Sequence, residues 1–380
     1  MRLADATAEG ARVMAVCNAC RYCEQYCPVF QAMEHRLSFA TADVTYLANL
    51  CHNCGECLYA CQYAPPHEFS INVPQALARA RVQSYEDCAW PAPLGRAFRH
   101  QGVLVALSLA AVMIVVLFAA TLVANPNALR GAATRASFYA VMPHGAMVAL
   151  FGAVGAYVLV ALAMGARRFR RMARGPSTAQ HVAARSGASA RLAALRDVLT
   201  LRHLHASGEP CTTAEEVRTP WRRRFHHATF YGFVLCFAST AIAALYHVLG
   251  LEAPYAVASV PVVLGTVGGI GVVTGTLGLL IGARTRDAAL TDAAQRRLDR
   301  SFIVLLLLTG ASGLLLLALR EHQAMGSLLL VHLGLVLALF VTLPYGKFVH
   351  GIYRAIALAQ HAREERGADA RHDLRGPKAS

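Results

Sequence analysis

Charge is what this sequence has least of. Only 15% of its 380 residues are Asp, Glu, Lys or Arg, while 56% are apolar; an ordinary soluble domain carries about 25% charged residues. Too few charges remain to cover a soluble surface, and a disordered chain needs low hydrophobicity, so both classes are excluded. Acidic residues are the scarcer sign, 22 against 36 basic. Met1–Val16 holds no unbroken apolar run of the ~7–15 residues that a secretory signal needs, and it carries Asp5 and Glu9. The first hundred residues are therefore expected in the cytosol, where thiols stay reduced. The sequence also lacks a P-loop, a dinucleotide fingerprint behind a predicted strand and a catalytic-triad signature. No site for converting a metabolite is apparent.

What is present in quantity is long apolar sequence. Six stretches carry no Asp, Glu, Lys or Arg over most of their length: Gly102–Ala124, Phe138–Ala166, Phe225–Leu251, Ala253–Ala283, Ser301–Leu319 and Met325–Gly346. Each reaches the ~17–25 residues needed to cross about 30 Å of hydrocarbon. The segments on one side of these spans hold 33 Lys and Arg, those on the other side 3. Basic loops stay on the cytoplasmic side. Both termini are therefore expected in the cytoplasm of a bacterium, with six crossings of its inner membrane. The formal charge of +14 then reports membrane topology and contact with anionic lipid, not a nucleic-acid partner. The expected division is a cytosolic domain over 1–100, spans one and two over 101–166, a basic cytosolic loop over 167–224, spans three to six over 225–354, and a cytosolic tail over 355–380. Ala188–His203, in the loop, has helical composition.

Cysteine is the second abundance: 11 residues, eight of them on one template used twice. The runs are Cys17-x2-Cys20-x2-Cys23-x3-Cys27-Pro28 and Cys51-x2-Cys54-x2-Cys57-x3-Cys61. This is the spacing of bacterial two-cluster ferredoxins, in which the fourth Cys of each run ligates the other cluster. One [4Fe–4S] cluster is expected on Cys17, Cys20, Cys23 and Cys61, and a second on Cys51, Cys54, Cys57 and Cys27. The competing reading is a structural zinc built from Cys-x2-Cys pairs, but each run would leave an awkward third thiol. Gln62 stands where Pro usually follows the second run, which leaves the local turn open. Cys88, Cys211 and Cys236 read as ordinary thiols.

Histidines mark the span ends. His332 lies near the outer end of span six and His350 just past its inner end, 18 residues and five turns apart on one face of a straight helix. Span three carries His226 and His227 at its inner end and His247 at its outer end. At about 100° per residue, His226 lies about 60° from His247 in phase and His227 about 160° away, which favours His226 without closing the alternative. Titratable groups at membrane depth are costly and usually functional, and imidazole is a common haem ligand. The pattern predicts two b-type haems, His247 pairing with His332 and His226 or His227 with His350. The bland reading is interfacial histidines in the headgroup region. His144 is a substitute ligand or, preferably, a helix-packing residue, and His203 and His205 read as solvent-facing. The string Leu264-Gly-Thr-Val-Gly-Gly-Ile-Gly271 has no preceding strand, so it reads as a small-residue helix-packing face.

The two Cys runs, His226-His227…Tyr231-Gly232-Phe233, the glycine string and Leu343-Pro-Tyr-Gly-Lys-Phe-Val-His350-Gly-Ile-Tyr-Arg354 together resemble the tricarballylate/citrate utilisation protein B family. The same module forms the C-terminal part of the cobalamin-pathway protein CobZ. The resemblance covers nearly the whole chain. It implies a mainly α protein, with a ferredoxin-like two-cluster head on a six-helix bundle of cytochrome b type. Such a protein reoxidises the FADH2 of a partner dehydrogenase on the cytoplasmic face and passes electrons through haem b to quinone. Two alternatives stay open: the same relay serving a flavin oxygenase of cobalamin type, and a membrane redox sensor whose clusters only report oxidation state. A sensor, however, needs no row of histidines across the membrane.

Overall fold

The computed structural model describes residues 3–126, 129, 138–174, 188–202, 211–212, 218–251 and 253–374. The head consists of α1 (Leu3–Cys20), α2 (Pro28–Glu34), α3 (Thr41–Leu50), the single turn α4 (Glu56–Tyr59) and α5 (Val73–Cys88). Val13, Met14, Met33, Tyr46, Leu47, Leu50 and Leu77 are fully enclosed where α1, α2, α3 and α5 pack on one another. Both Cys runs lie where helix gives way to irregular backbone. Arg21, in the left-handed region at φ 57°, follows the end of α1 inside the first run, and Asn53 (φ 57°) and Gly55 (φ 97°) bend the second.

Among the described residues, six helices are long and apolar enough to cross a membrane. They are α6 (Ala92–Ala124), α8 (His144–Met172), α10 (Trp221–Val248), α11 (Val260–Gly282), α12 (Ala293–Ala318) and α13 (Met325–Thr342). Three breaks depart from the uninterrupted stretches of the sequence. The second stretch is split at Met142-Pro143 into α7 (Phe138–Val141) and α8, because the residue before proline is pushed out of the helical region. The fourth helix begins only at Val260, with Pro261 in its first turn, where a missing N–H costs nothing. The sixth ends at Thr342, ahead of Pro344, and α14 (Val349–Leu374) starts afresh. His332 and His350 therefore do not share one straight helix, and the five-turn argument for a common face fails at Pro344. In α6 the uncharged part begins beyond a kink at Gln101 (φ −137°, ψ 41°).

Between α8 and α10 lie α9 (Ala188–Leu199) and a two-residue antiparallel pair, β1 (Cys211–Thr212) with β2 (Arg218–Thr219). His203 and His205 lie outside the described residues. The glycine string packs as expected. A Cβ on Gly268 would stand 2.8 Å from the backbone N of Cys236, and one on Gly275 2.6 Å from that of Thr229, so α10 and α11 touch backbone to backbone.

The head is fastened to the bundle by polar contacts. Arg36, wholly buried, donates to Asp43 at 2.9 Å and to Glu364 of α14 at 2.8 Å, and the Tyr46 hydroxyl donates to Glu364 at 3.2 Å. The α11–α12 connection docks alongside. Asp287 accepts from the Tyr59 hydroxyl at 3.0 Å, the carbonyl of Ala289 accepts from Asn72 at 2.9 Å, and Leu290 packs on Gly55.

Candidate functional site

The eight cysteines of the two runs gather around two small adjoining cavities, of about 30 and 20 Å³. Cys17, Cys20, Cys23 and Cys61 line the first and Cys27, Cys51 and Cys54 the second, while Cys57 lines both. The fourth cysteine of each run thus crosses to the other run's cavity. Among the described residues, no three His, Cys, Asp or Glu converge on a single-ion position. That is what a mononuclear zinc would need. A cubane offers four irons, each taking one thiolate, and suits cysteines spread around a cavity. Backbone N–H groups also point at sulfur: Asn53 N donates to Cys51 Sγ at 3.3 Å. Burial, then the neighbouring thiols, push Cys17 and Cys23 up to about 12. The same causes hold Cys27 and Cys57 well above the ordinary thiol value. Four such thiols ionise together only opposite a strongly positive group, so the donor set fits iron–sulfur clusters.

Three arginines from the membrane part seize the turn that carries Cys51. Arg222 donates to Asn53 O at 2.9 Å, Arg286 to the same oxygen at 2.7 Å, and Arg354 to Cys51 O at 2.7 Å. Arg222 sits four residues before His226 on α10, and Arg354 four residues after His350 on α14. Four residues make about one turn, or ~6 Å of rise. The imidazoles of His226 and His350 meet there, with ring centroids 6.3 Å apart and planes at 89°. Two imidazoles bound end-on to one metal, through bonds of about 2 Å, would place their centres roughly 6.4 Å apart. His350 Nδ1 donates to Lys347 O at 2.5 Å, which leaves Nε2 as the free lone pair. His226 Nδ1 is buried without a hydrogen-bond partner among the described residues. The spacing suits two imidazole donors to one iron.

The other histidines are engaged differently. His227 packs on Tyr231 at 5.9 Å, so of the two neighbours on α10 it is His226 that faces His350. At the far end of the bundle, His247 stacks on His144 at 3.7 Å, with Tyr139 against both rings. His332 Nδ1 bonds Ser312 Oγ at 2.9 Å. The ring against His247 is thus His144, not His332. Beside this group is a cavity of about 250 Å³ with an almost wholly apolar wall, whose lining includes Tyr139, Tyr255, Val262, Arg320, Leu329 and Leu333.

In the sequence, Arg222, Arg286 and Arg354 stand among the basic residues that mark orientation, and His144 reads as a packing residue before a substitute ligand. One signal could have found two of the arginines: Arg222-x3-His226 and His350-x3-Arg354 repeat a single four-residue spacing at the two inner helix ends.

The fold and these sites define a class: a membrane-helical protein whose cysteine-rich helical head is clamped onto one end of its bundle. The model of the Citrate utilization protein B family matches residues 99–371, and that of the Citrate utilization protein B Fer4-like domain matches residues 10–87. A Citrate utilization protein B of Escherichia coli is 48% identical over 368 residues, covering 96% of this chain and 94% of that protein. The chain belongs to the citrate utilization protein B family. No solved structure matches it.

Proposed function

We propose that this protein is a membrane-bound electron carrier that takes electrons from a flavoprotein dehydrogenase in the cytoplasm and delivers them to quinone. The observation that carries the reading is the continuity at Arg222 and Arg354. Each of the two helices that hold the second cysteine cavity brings a histidine of the facing pair one turn away. Cys17, Cys20, Cys23 and Cys61 would hold one [4Fe–4S] cluster, Cys51, Cys54, Cys57 and Cys27 a second, and His226 with His350 one haem b. When bound, these groups each take up and release single electrons. The chain's residues set the path: thiols enclose the clusters, arginines hold the second against the bundle, and Lys347 O fixes the tautomer of His350. His247 stacks on His144 and does not face His332, so the reading counts one haem, at the head end.

The far-end cavity supports quinone as acceptor. Its apolar walls suit a flat ring, and the Arg320 guanidinium can donate to a carbonyl oxygen. Likeness to the E. coli relative, named for citrate utilisation, supports a role for the relay in citrate or tricarballylate utilisation, and the distribution of basic residues supports a bacterial inner membrane with both termini cytoplasmic. The test supplies FADH2 anaerobically to the purified protein with decylubiquinone. Flavin should reoxidise faster than in the protein-free control, and Cys54→Ser and His350→Ala should return it to that control. A wild-type rate equal to the control contradicts the reading.

A further inference from the structure

We propose that the cavity of Cys51, Cys54, Cys57 and Cys27 is the membrane-proximal station of this relay, and that Arg222, Arg286 and Arg354 hold its reduction potential above that of the first cavity. The inference rests on the cluster reading above and adds an order and a driving force to it. Three guanidiniums from three separate elements converge on two carbonyls of one turn, Cys51 O and Asn53 O, at 2.7–2.9 Å. A guanidinium keeps its proton in proteins, so the charge there is permanent. The carboxylate of Glu56 lines the same cavity, one negative group against three positive. The wall of the first cavity, Cys residues apart, is built of Val16, Tyr22, Phe30, Gln62, Tyr63, Ile71 and Val73. Neither lining contains a Lys or Arg; the difference lies in the backbone around them, where three guanidiniums bind the turn of the second run and, among the described residues, Arg21 alone, bonded to Asn18 O, sits in the turn of the first.

Cluster potentials follow net charge, hydrogen bonds to sulfur and exposure. The added electron of a reduced cluster is stabilised by fixed positive charge, and three guanidiniums at the second run outweigh the one at the first. An electron on a cluster held by the first cavity would then move downhill to one held by the second, toward His226 and His350. No bond is broken and no proton moves. The first cavity, away from those three arginines, is left to receive electrons from outside.

The test is an anaerobic EPR redox titration of the full-length protein in detergent. Cys20 lines only the first cavity and Cys54 only the second, so Cys20→Ser and Cys54→Ser assign the two signals. Cys54→Ser should remove the higher-potential signal and Cys20→Ser the lower. Arg286→Gln should lower the higher midpoint by about 59 mV, a tenfold change in the reduced-to-oxidised ratio for one electron, and leave the other fixed; Arg286→Lys should keep most of the wild-type value. Survival of the higher-potential signal in Cys54→Ser overturns the order, even if the arginine variants do not assemble. A midpoint unmoved in Arg286→Gln, or two midpoints moved together, overturns the role of the charge. A preparation with no acid-labile sulfide overturns the cluster reading itself.

Discussion

His226 and His350 meet across two helices, 124 positions apart in the chain, with ring centroids 6.3 Å apart and planes at 89°. Neither helix supplies the meeting alone. The chain breaks at Pro344, restarts at Val349 and turns Arg354 into the head, and α10 reaches the same turn through Arg222. A head clamped at that point sets its second cavity over the imidazole pair.

That relationship predicts one haem per protein. His226→Ala and His350→Ala should each abolish it, while His227→Ala, His247→Ala and His332→Ala should retain it. Pyridine haemochrome quantification of each purified variant measures this. Haem retained in His350→Ala, or lost in His332→Ala, would reinstate a far-end pair.

Assembly of the head should release protons. An exposed thiol titrates near 8.5, whereas burial and neighbouring thiols push Cys17 and Cys23 up to about 12. A raised folded value means that the iron-free head loses stability as pH rises from about 8.5 toward 12, because its thiols resist ionising there. Ligation needs thiolates, so iron uptake displaces those protons and cluster retention weakens as pH falls. Reconstitution in weakly buffered anaerobic solution should acidify the medium by several protons per cluster. An unchanged pH would contradict thiolate ligation.

The Arg36–Glu364 contact should be costly to break from one side. Both side chains are fully enclosed, and removing one partner of a buried pair typically costs about 3–5 kcal/mol. Glu364→Ala should lower the thermal midpoint and expose the α14–head seam to protease. Arg36→Met together with Glu364→Leu should recover part of that loss. A Glu364→Ala variant as stable as wild type would show that the clamp does not hold the head.

The far-end cavity should be separable from the rest. Leu333→Trp or Val262→Trp, which fill it, should slow reoxidation by decylubiquinone at least tenfold and leave iron, sulfide and haem contents unchanged. Equal reoxidation rates in wild type and both variants would move the acceptor site elsewhere.

The membrane helices and the gathering of the eight cysteines were legible because composition and spacing are local properties. Uncharged length marks the spans, and the x2-x2-x3 spacing marks eight thiols whichever way the chain turns. The packing face of the glycine string was legible for the same reason, since Gly268 and Gly275 lie on one helix. Histidine partnership was not local. His247 could reach His144 or His332 depending on how α8 and α13 approach α10, and the periodicity of one helix does not say which. Pro344 falsifies the straight-helix phase on which the His332–His350 alignment depended. The arginines were hidden in a basic count that topology already explained, although Arg222, Arg286 and Arg354 are the ones turned onto the second cysteine run.

The most direct test of the relay is a single anaerobic experiment. The purified protein is reduced with a stoichiometric amount of dithionite, and decylubiquinone is then added while the visible spectrum and EPR are followed. The account predicts that reduced iron–sulfur signals and a ferrous low-spin haem band appear together, and that both reoxidise on quinone addition with one quinol formed per two electrons. Clusters and haem that stay reduced in the presence of quinone, or a protein with neither, would contradict it.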